Sequence, residues 1–424
     1  MGNGVMVRIC GWIVRLKVVG RVAITEVVTD LYNKPVVVAV KSDRDLELFS
    51  KVKDLPIGTA VCIDGEVSPE QRSKRGVEYL AKDIRIYAKP SESMPVDLVG
   101  KVPALLDTRI KYRYLLIRNP VERSIIKIRA LVLKLAREFL ENRGFIEVHT
   151  PKIVAAGAEG GATLFQVKYF ESNAYLSQSP QLYKQMLMTS FSKVYEITPY
   201  FRAEKFNTKR HLNESWGIDV EQGFIDSEED VMKTLEELVA YIVNGVIERA
   251  PEELELLGVE ARPLSTPFKR IDFREAVELL MNRGLEIPEG EDLSEAAERE
   301  LGSIMAEKNC EAYFIKKFPW TSAGFYYMRD EEGFTARKFD LDYKGLEVAS
   351  GGQREHRYEK LVESLKLKGL SPSDFEYYLE AFKYGMPPHG GFGLGVERLL
   401  MSLLNLDNIR LTTVFVRDRT RLTP

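Results

Sequence analysis

The stretch YFRAEKFNTKRHLNESWGIDVE, residues 200–221, reads as a strand, a charged loop and a second strand. Arg202 and Glu204 fall in strand alternation, Lys209, Arg210 and His211 occupy the loop, and Glu214, Asp219 and Glu221 follow on the return. Alternate residues of a strand share a face, so such a hairpin gathers charged groups toward a polyanion. A solvated surface hairpin fits the same spacing.

A second signal is HGGFGLGVERLL, residues 389–400, with glycines at 391, 393 and 395 and then Glu397 and Arg398 at a helix start. No βαβ unit or suitably placed acidic residue follows, which argues against a dinucleotide loop. Alternating glycines instead let a flat ligand lie against a strand. Arg398 then reaches its phosphate end.

Outward from these two stretches, residues 5–87 alternate in the manner of five short strands, with a short helix near DLELFSKVK. That pattern suits a small closed barrel of the oligonucleotide-binding (OB) type, and any small all-β domain is the alternative. The Pro- and Ser-bearing stretch KPSESMPVDLVGKVPALLD predicts a linker. RSIIKIRALVLKLAREFLENRG predicts a long helix stopped at Gly144. Beyond it, FIEVHTPKIV, VYEITPYFR, WGIDVEQGFI, AYFIKKFPW, GFYYMR and FDLDYKGLEVAS predict strands. Helices are predicted near 227–249, 274–283, 293–308, 356–368, 372–384 and 396–404. The expected fold class is α+β: an N-terminal OB-type barrel (1–90), a linker (91–118) and a domain on a mainly antiparallel sheet (119–424).

At 424 residues the chain is long enough for two or three domains. Its 60 basic and 63 acidic residues leave a net charge of −3, so a nucleic-acid partner must be held by local patches and not by a global field. Cys10, Cys62 and Cys310 are scattered and form no CxxC pair, which indicates neither a zinc ribbon nor a disulfide framework. Arg8, Arg15 and Lys17 interrupt the apolar opening before a signal core or a membrane span develops. The expectation is a cytoplasmic protein in a reducing compartment, without a membrane partner.

GFIEVHTPKI (144–153), FRAEKFNTKRHLNESWGIDVE and GGFGLGVER resemble motifs 1, 2 and 3 of the class II aminoacyl-tRNA synthetases, in order. Barrel followed by catalytic domain resembles subclass b. QSPQLYKQ, RHLNESWGID, SGGQREH and MPPHGG are most similar to its archaeal aspartyl branch.

This resemblance implies a ligase that activates L-aspartate with ATP and Mg2+ and transfers the aspartyl group to tRNA. Arg202 then contacts the α-phosphate, Glu204 lies near the adenine and the tRNA end, and His211 and Arg398 grip the γ-phosphate. Arg210 and Gly395 belong to the same ATP site. A fixed guanidinium suits the charge that builds during attack on phosphorus. Glu347 and Ser350 match magnesium-proximal positions, with Asp340 a companion, and their hard oxygens suit that ion. Lys184 and Arg354 are expected around the aspartate side chain, Asp219 holds Lys184, and Glu159, Ser179 and Gln181 lie near the ammonium group. Two cations favour a carboxylate over an amide. Motif 1 implies a homodimer.

Some positions depart from the family pattern. Ser215 stands where an adenine-stacking Phe is usual, Trp216 points to the opposite face, and Phe392 or another group supplies the apolar cover. Ala23 and Ile24 stand where anticodon-reading relatives carry an aromatic, and Pro35 stands near the expected glutamine, while Arg15, Arg21 and Lys34 serve the RNA backbone. Use of tRNA(Asn) as a second acceptor therefore stays open. So do two rival functions: an asparaginyl enzyme, and a paralogue that binds RNA or adenylate without charging tRNA.

Overall fold

The computed structural model describes residues 6–68, 77–155, 164–205, 207–288 and 290–424. Glu159 lies outside them. The chain divides into two compact units: Met1–Ile128 with Pro251–Val259, and Arg129–Ala250 with Glu260–Thr423.

In the first unit, β1 (Met6–Val19), β2 (Val22–Val28), β3 (Val36–Lys41), β4 (Ala60–Val67) and β5 (Glu78–Ala88) pair in the ring β1–β2–β3–β5–β4, and β4 returns to β1. Period-2 alternation sends Ile9, Ile13, Val38, Val61 and Ile63 inside. The helix Leu46–Val52 is capped by Asp45, whose carboxylate accepts from Leu48 N at 2.8 Å, and it turns Leu48 and Val52 into the same core. Within the stretch expected to be a linker, Val96 and Leu98 are buried and pack with Val14 and Val28. Ala23 is fully buried, so its side chain belongs to the barrel core and only Ile24 of that pair is partly exposed.

The cysteine expectation fails. Cys10 on β1 is the register partner of Cys62 on β4, their Cα atoms are 4.0 Å apart, and the two sulfurs are bonded. A separation of 52 residues hides a pairing that only the β1–β4 ladder creates. Cys62→Ser is expected to cost up to about 4 kcal/mol, because it frees a long loop in the unfolded chain. Thermal unfolding should shift with reductant in the wild type and not in the variant.

The second unit is built on a mixed sheet. Its strands are β6 (Ile146–Glu147), β10 (Lys193–Phe201), β11 (Glu214–Gly223), β12 (Lys269–Asp272), β13 (Ala312–Lys316), β14 (Lys338–Tyr343), β15 (Glu347–Gln353) and β16 (His389–Gly395). Their order is β12–β13–β14–β15–β16–β11–β10–β6. The two outermost pairings are parallel and the inner ones antiparallel. Three further strands, β7 (Ile153–Val154), β8 (Gln166–Tyr169) and β9 (Ser172–Leu176), form a small sheet. The helix Glu228–Arg249 starts at a capping box of Ser227 and Asp230 and packs on β14, β15 and β16. The helix Pro120–Asn142 ends as predicted: Gly144 has φ +77°, and Phe145 N donates to Leu140 O, a Schellman closure.

Several predicted elements differ. FIEVHTPKIV contributes two short strands, β6 and β7, to different sheets. GFYYMR forms no strand; its consecutive aromatics Phe325, Tyr326 and Tyr327 pack into the core. FDLDYKGLEVAS is a hairpin turning at Lys344 and Gly345, both at positive φ. Residues 372–384 break into 3-10 and α turns.

Candidate active site

A cleft of about 730 Å3 opens over β11, β15 and β16. It gathers most of the residues singled out in the sequence: Ser179, Gln181, Arg202, Glu204, Arg210, His211, Asp219, Glu347, Ser350, Gly395 and Arg398.

β10 stops at Phe201, so Arg202 and Glu204 sit in the loop beyond it and not in strand alternation. Asn213 explains the break. Its side-chain amide donates to Arg202 O at 2.7 Å and Glu204 O at 3.2 Å, which satisfies carbonyls that have left the ladder. Beside them, Arg398 donates to Glu347 Oε2 at 2.9 Å and to Glu347 O at 3.1 Å. Burial pushes the Glu347 carboxyl up, but Arg398 and Lys338 outweigh it and leave the group below its usual range. Burial, reinforced by Arg398, lowers His211, whose Nδ1 lies 2.6 Å from Thr208 Oγ1. Arg210 pairs with Glu298 at 2.9 Å, and burial together with Glu347 raises Glu298 to about 7. Glu397 Oε2 accepts from Trp216 N at 2.9 Å while its Oε1 pairs with Arg129 at 2.7 Å. One buried carboxylate thus ties β11 to the helix Pro120–Asn142.

The second group of charges lies deeper. Lys184, on the helix Gln181–Met186, donates to Asp219 Oδ1 at 2.9 Å and to the carbonyls of Val220 and Phe392. Glu221, two residues along β11 from Asp219, joins two cations: its Oε1 accepts from Arg354 Nε at 3.1 Å and its Oε2 lies 3.2 Å from Lys184 Nζ. Arg354 Nη2 donates to Gly391 O, whereas Nη1 is buried without a hydrogen bond. Neither cation lines the cleft. They sit behind Asp219 and Tyr327, which do, and the Arg354 guanidinium lies 4.8 Å from the Tyr327 ring centre. Burial raises the Asp219 carboxyl even though Lys184 and Tyr200, whose hydroxyl donates to it, pull the other way.

Of the alternating glycines, Gly393 and Gly395 line the cleft, while a Cβ on Gly391 would stand 2.0 Å from Val220 O and 2.2 Å from Glu221 Oε2. Gly391→Ala is therefore expected to cost about 1–3 kcal/mol through overpacking and to displace Glu221 from Arg354. Chemical denaturation together with aspartate-dependent pyrophosphate exchange would register both effects.

Glu347 and Ser350 face the cleft, and Asp340 is the register partner of Ser350. Lys338 Nζ takes Asp340 Oδ2 at 2.9 Å, and Asp340 Oδ1 is buried without a hydrogen bond. Burial lifts Asp340 to about 6 against the pull of Lys338. Among the described residues no three His, Cys, Asp or Glu side chains converge as a metal cage. Phe392 is fully buried and does not line the cleft, so it supplies no adenine cover; Leu212, Val348 and Ile409 line the cleft instead.

Tyr200, Asn213, Glu298, Lys338 and Glu397 carried no expectation. Tyr200, Asn213 and Glu221 stand inside the first quoted stretch; Tyr200 meets Asp219 and the Asn213 side chain meets Arg202 and Glu204 within it, whereas Glu221 pairs with Lys184 and Arg354 from elsewhere.

Residues 106–419 match the family model described as tRNA synthetases class II (D, K and N). The chain belongs to this family. Over its full length the synthetase is 47% identical to the aspartate–tRNA(Asp) ligase of Pyrococcus furiosus, of which it covers 97%. It is 48% identical to the aspartate–tRNA(Asp/Asn) ligase of Methanopyrus kandleri, again covering 97% of that protein. Its fold is similar to the crystal structure of asparaginyl-tRNA synthetase from Pyrococcus horikoshii complexed with asparaginyl-adenylate, with a TM-score of 0.91 at 34% identity over 100% of this chain and 97% of that one. Among the described residues no helix of the synthetase is long and apolar enough to cross a membrane.

Proposed function

We propose that this synthetase is an aspartate–tRNA ligase. An α-carboxylate oxygen of L-aspartate attacks the α-phosphorus of ATP, pyrophosphate leaves, and the aspartyl group then passes from AMP to a ribose hydroxyl of the terminal adenosine of tRNA. The observation that carries the substrate assignment is the buried set Lys184–Asp219–Glu221–Arg354. Its Arg354 Nη1 has no hydrogen bond and lies behind the Tyr327 wall, so the reading requires that ring to yield and admit the aspartate carboxylate to the buried guanidinium, where an asparagine amide brings no charge. Identity of 47–48% to aspartate ligases, against 34% to the asparaginyl enzyme, supports the same choice.

Arg202 bears on the α-phosphate, His211 and Arg398 on the γ-phosphate end with Arg210 beside them, and Glu204 stands at the adenine edge. Gly395, Leu212, Val348 and Ile409 bound the flat base. Ser179, Gln181 and Tyr200 line the ammonium side. Rigid placement of these groups, and no covalent enzyme nucleophile, carries the rate. Glu347 and Ser350, which face the cleft, would hold Mg2+ bound mainly through the nucleotide, with the buried Asp340 behind Ser350, because a carboxylate and a hydroxyl suit an ion that keeps phosphate and water ligands. When bound, that ion would supply charge neutralisation of the nucleotide phosphates.

The barrel is read as the OB-type domain for the anticodon, with residues 119–424 catalytic and 91–118 between them. Homodimerisation through motif 1 is supported by exposed Ile146 and Ile153, at 47% and 52%. The setting proposed is the cytoplasm.

Charging of purified tRNA(Asp) and tRNA(Asn) with aspartate, beside aspartate- and asparagine-dependent pyrophosphate exchange, tests substrate and acceptor together. Exchange driven by asparagine alone overturns the reading, and exchange without charging favours the paralogue.

A further inference from the structure

A second cavity, of about 540 Å3, lies next to the cleft, and Glu204 lines both. The activation chemistry leaves this cavity unused. Its apolar wall is Phe165, Leu176, Phe201 and Ala203, drawn from the ends of two sheets that meet where Phe201 N donates to Ser177 O. Its opposite wall is the C-terminal segment Arg417–Leu422.

Charge is unevenly distributed around it. Lys205, Arg417, Arg419 and Arg421 line the cavity against three acids, Glu204, Glu214 and Asp418, and Asp418 is neutralised by Arg410 at 2.7 Å. Among the described residues, Arg417 and Arg419 donate only to backbone carbonyls, those of Val416 and Lys205. An apolar aromatic wall facing guanidinium groups is the combination that holds an unpaired nucleotide: the base lies on the rings and the phosphate on the cations.

We propose that this cavity seats the unpaired nucleotide that precedes the terminal adenosine of tRNA, with its base against Phe165 and Phe201 and its phosphate on Arg419. The inference rests on the tRNA-charging function proposed above. The reason is connectivity. The terminal ribose must reach the carbonyl of the adenylate inside the cleft, so its neighbour must lie one nucleotide away, across the wall that Glu204 forms. Asn213 mechanically links the two chambers, because its N–H donates to Arg417 O at 2.9 Å while its side chain holds the Arg202 and Glu204 carbonyls.

The test uses the full chain. Arg419 is exposed, so Arg419→Glu is compatible with folding. It is expected to raise the KM for tRNA in charging about tenfold or more, and to leave aspartate-dependent pyrophosphate exchange unchanged. Independently, tRNA carrying 4-thiouridine in place of the nucleotide before the terminal adenosine should crosslink to peptides containing Phe165, Phe201 or Leu422. Crosslinks confined to other peptides, or an unchanged KM for tRNA in Arg419→Glu, overturn the assignment. Failure of the function itself reads differently: wild-type protein then shows no aspartate-dependent exchange, whatever the crosslinks show.

Discussion

Arg202→Ala is expected to lower the rate of adenylate formation by about 10³–10⁵-fold at saturating aspartate, the range seen when a guanidinium that meets charge on a transferring phosphoryl group is lost. Arg202 enters the cleft from the loop beyond Phe201, and the position of its backbone does not depend on its side chain. Its N–H donates to Asn213 O at 2.9 Å and its carbonyl accepts from the Asn213 amide at 2.7 Å. The alanine variant therefore keeps the backbone hydrogen bonds that shape the loop and removes the guanidinium. In the buried cleft no water dipole replaces a fixed cation without reorganising, so the loss falls on the rate and not on the KM for aspartate. Pyrophosphate exchange at saturating amino acid measures it, and turnover near the wild-type level would remove Arg202 from the phosphate site.

Arg354→Leu is the second large effect. Aspartate-dependent kcat/KM should fall about 10²–10³-fold while the KM for ATP changes little, since truncating one partner of a buried charge pair costs about 3–5 kcal/mol. Two consequences must be separated. Leucine removes the counter-charge proposed for the substrate, and it also leaves Glu221 with Lys184 alone, at 3.2 Å, in a fully buried position. The double variant Glu221→Gln with Arg354→Leu removes both charges, so it should recover much of the lost thermal stability and none of the aspartate activation. Recovery of activation in the double variant would show that Arg354 acts on folding only.

These two residues mark where reading the sequence alone succeeds and where it stops. That Arg202 shares a cleft with Glu204 and His211 was legible because the three stand close together in the chain, although the strand alternation expected of Arg202 and Glu204 does not occur. The charges of that loop lie within one 22-residue stretch, and the alternating glycines are equally local. The barrel was legible for the same reason, since period-2 runs broken by turn residues need no distant partner to be recognised. Arg354 was placed by resemblance, but its surroundings were not legible. Its neighbours Glu221, Gly391, Tyr326 and Tyr327 come from separate segments, and only the β15–β16–β11 pairings and the packed 324–327 segment bring them together. GFYYMR shows the opposite error: an aromatic run that resembles a strand is here a set of core anchors.

Local sequence was enough for the two kinds of unit and the hairpin, because backbone propensity and side-chain periodicity act over a few residues, while the resemblance supplied the three motifs and eleven of the residues that line the cleft. Tertiary structure alone decided that Cys10 meets Cys62, that Glu221 couples Lys184 to Arg354 behind the cleft wall, that Phe392 is buried in the sheet, and that a second chamber shares Glu204 with the first. The physical reason is that a strand's own residues set which face each side chain takes, whereas the identity of its neighbours depends on sheet order and register, which bring together residues hundreds of positions apart.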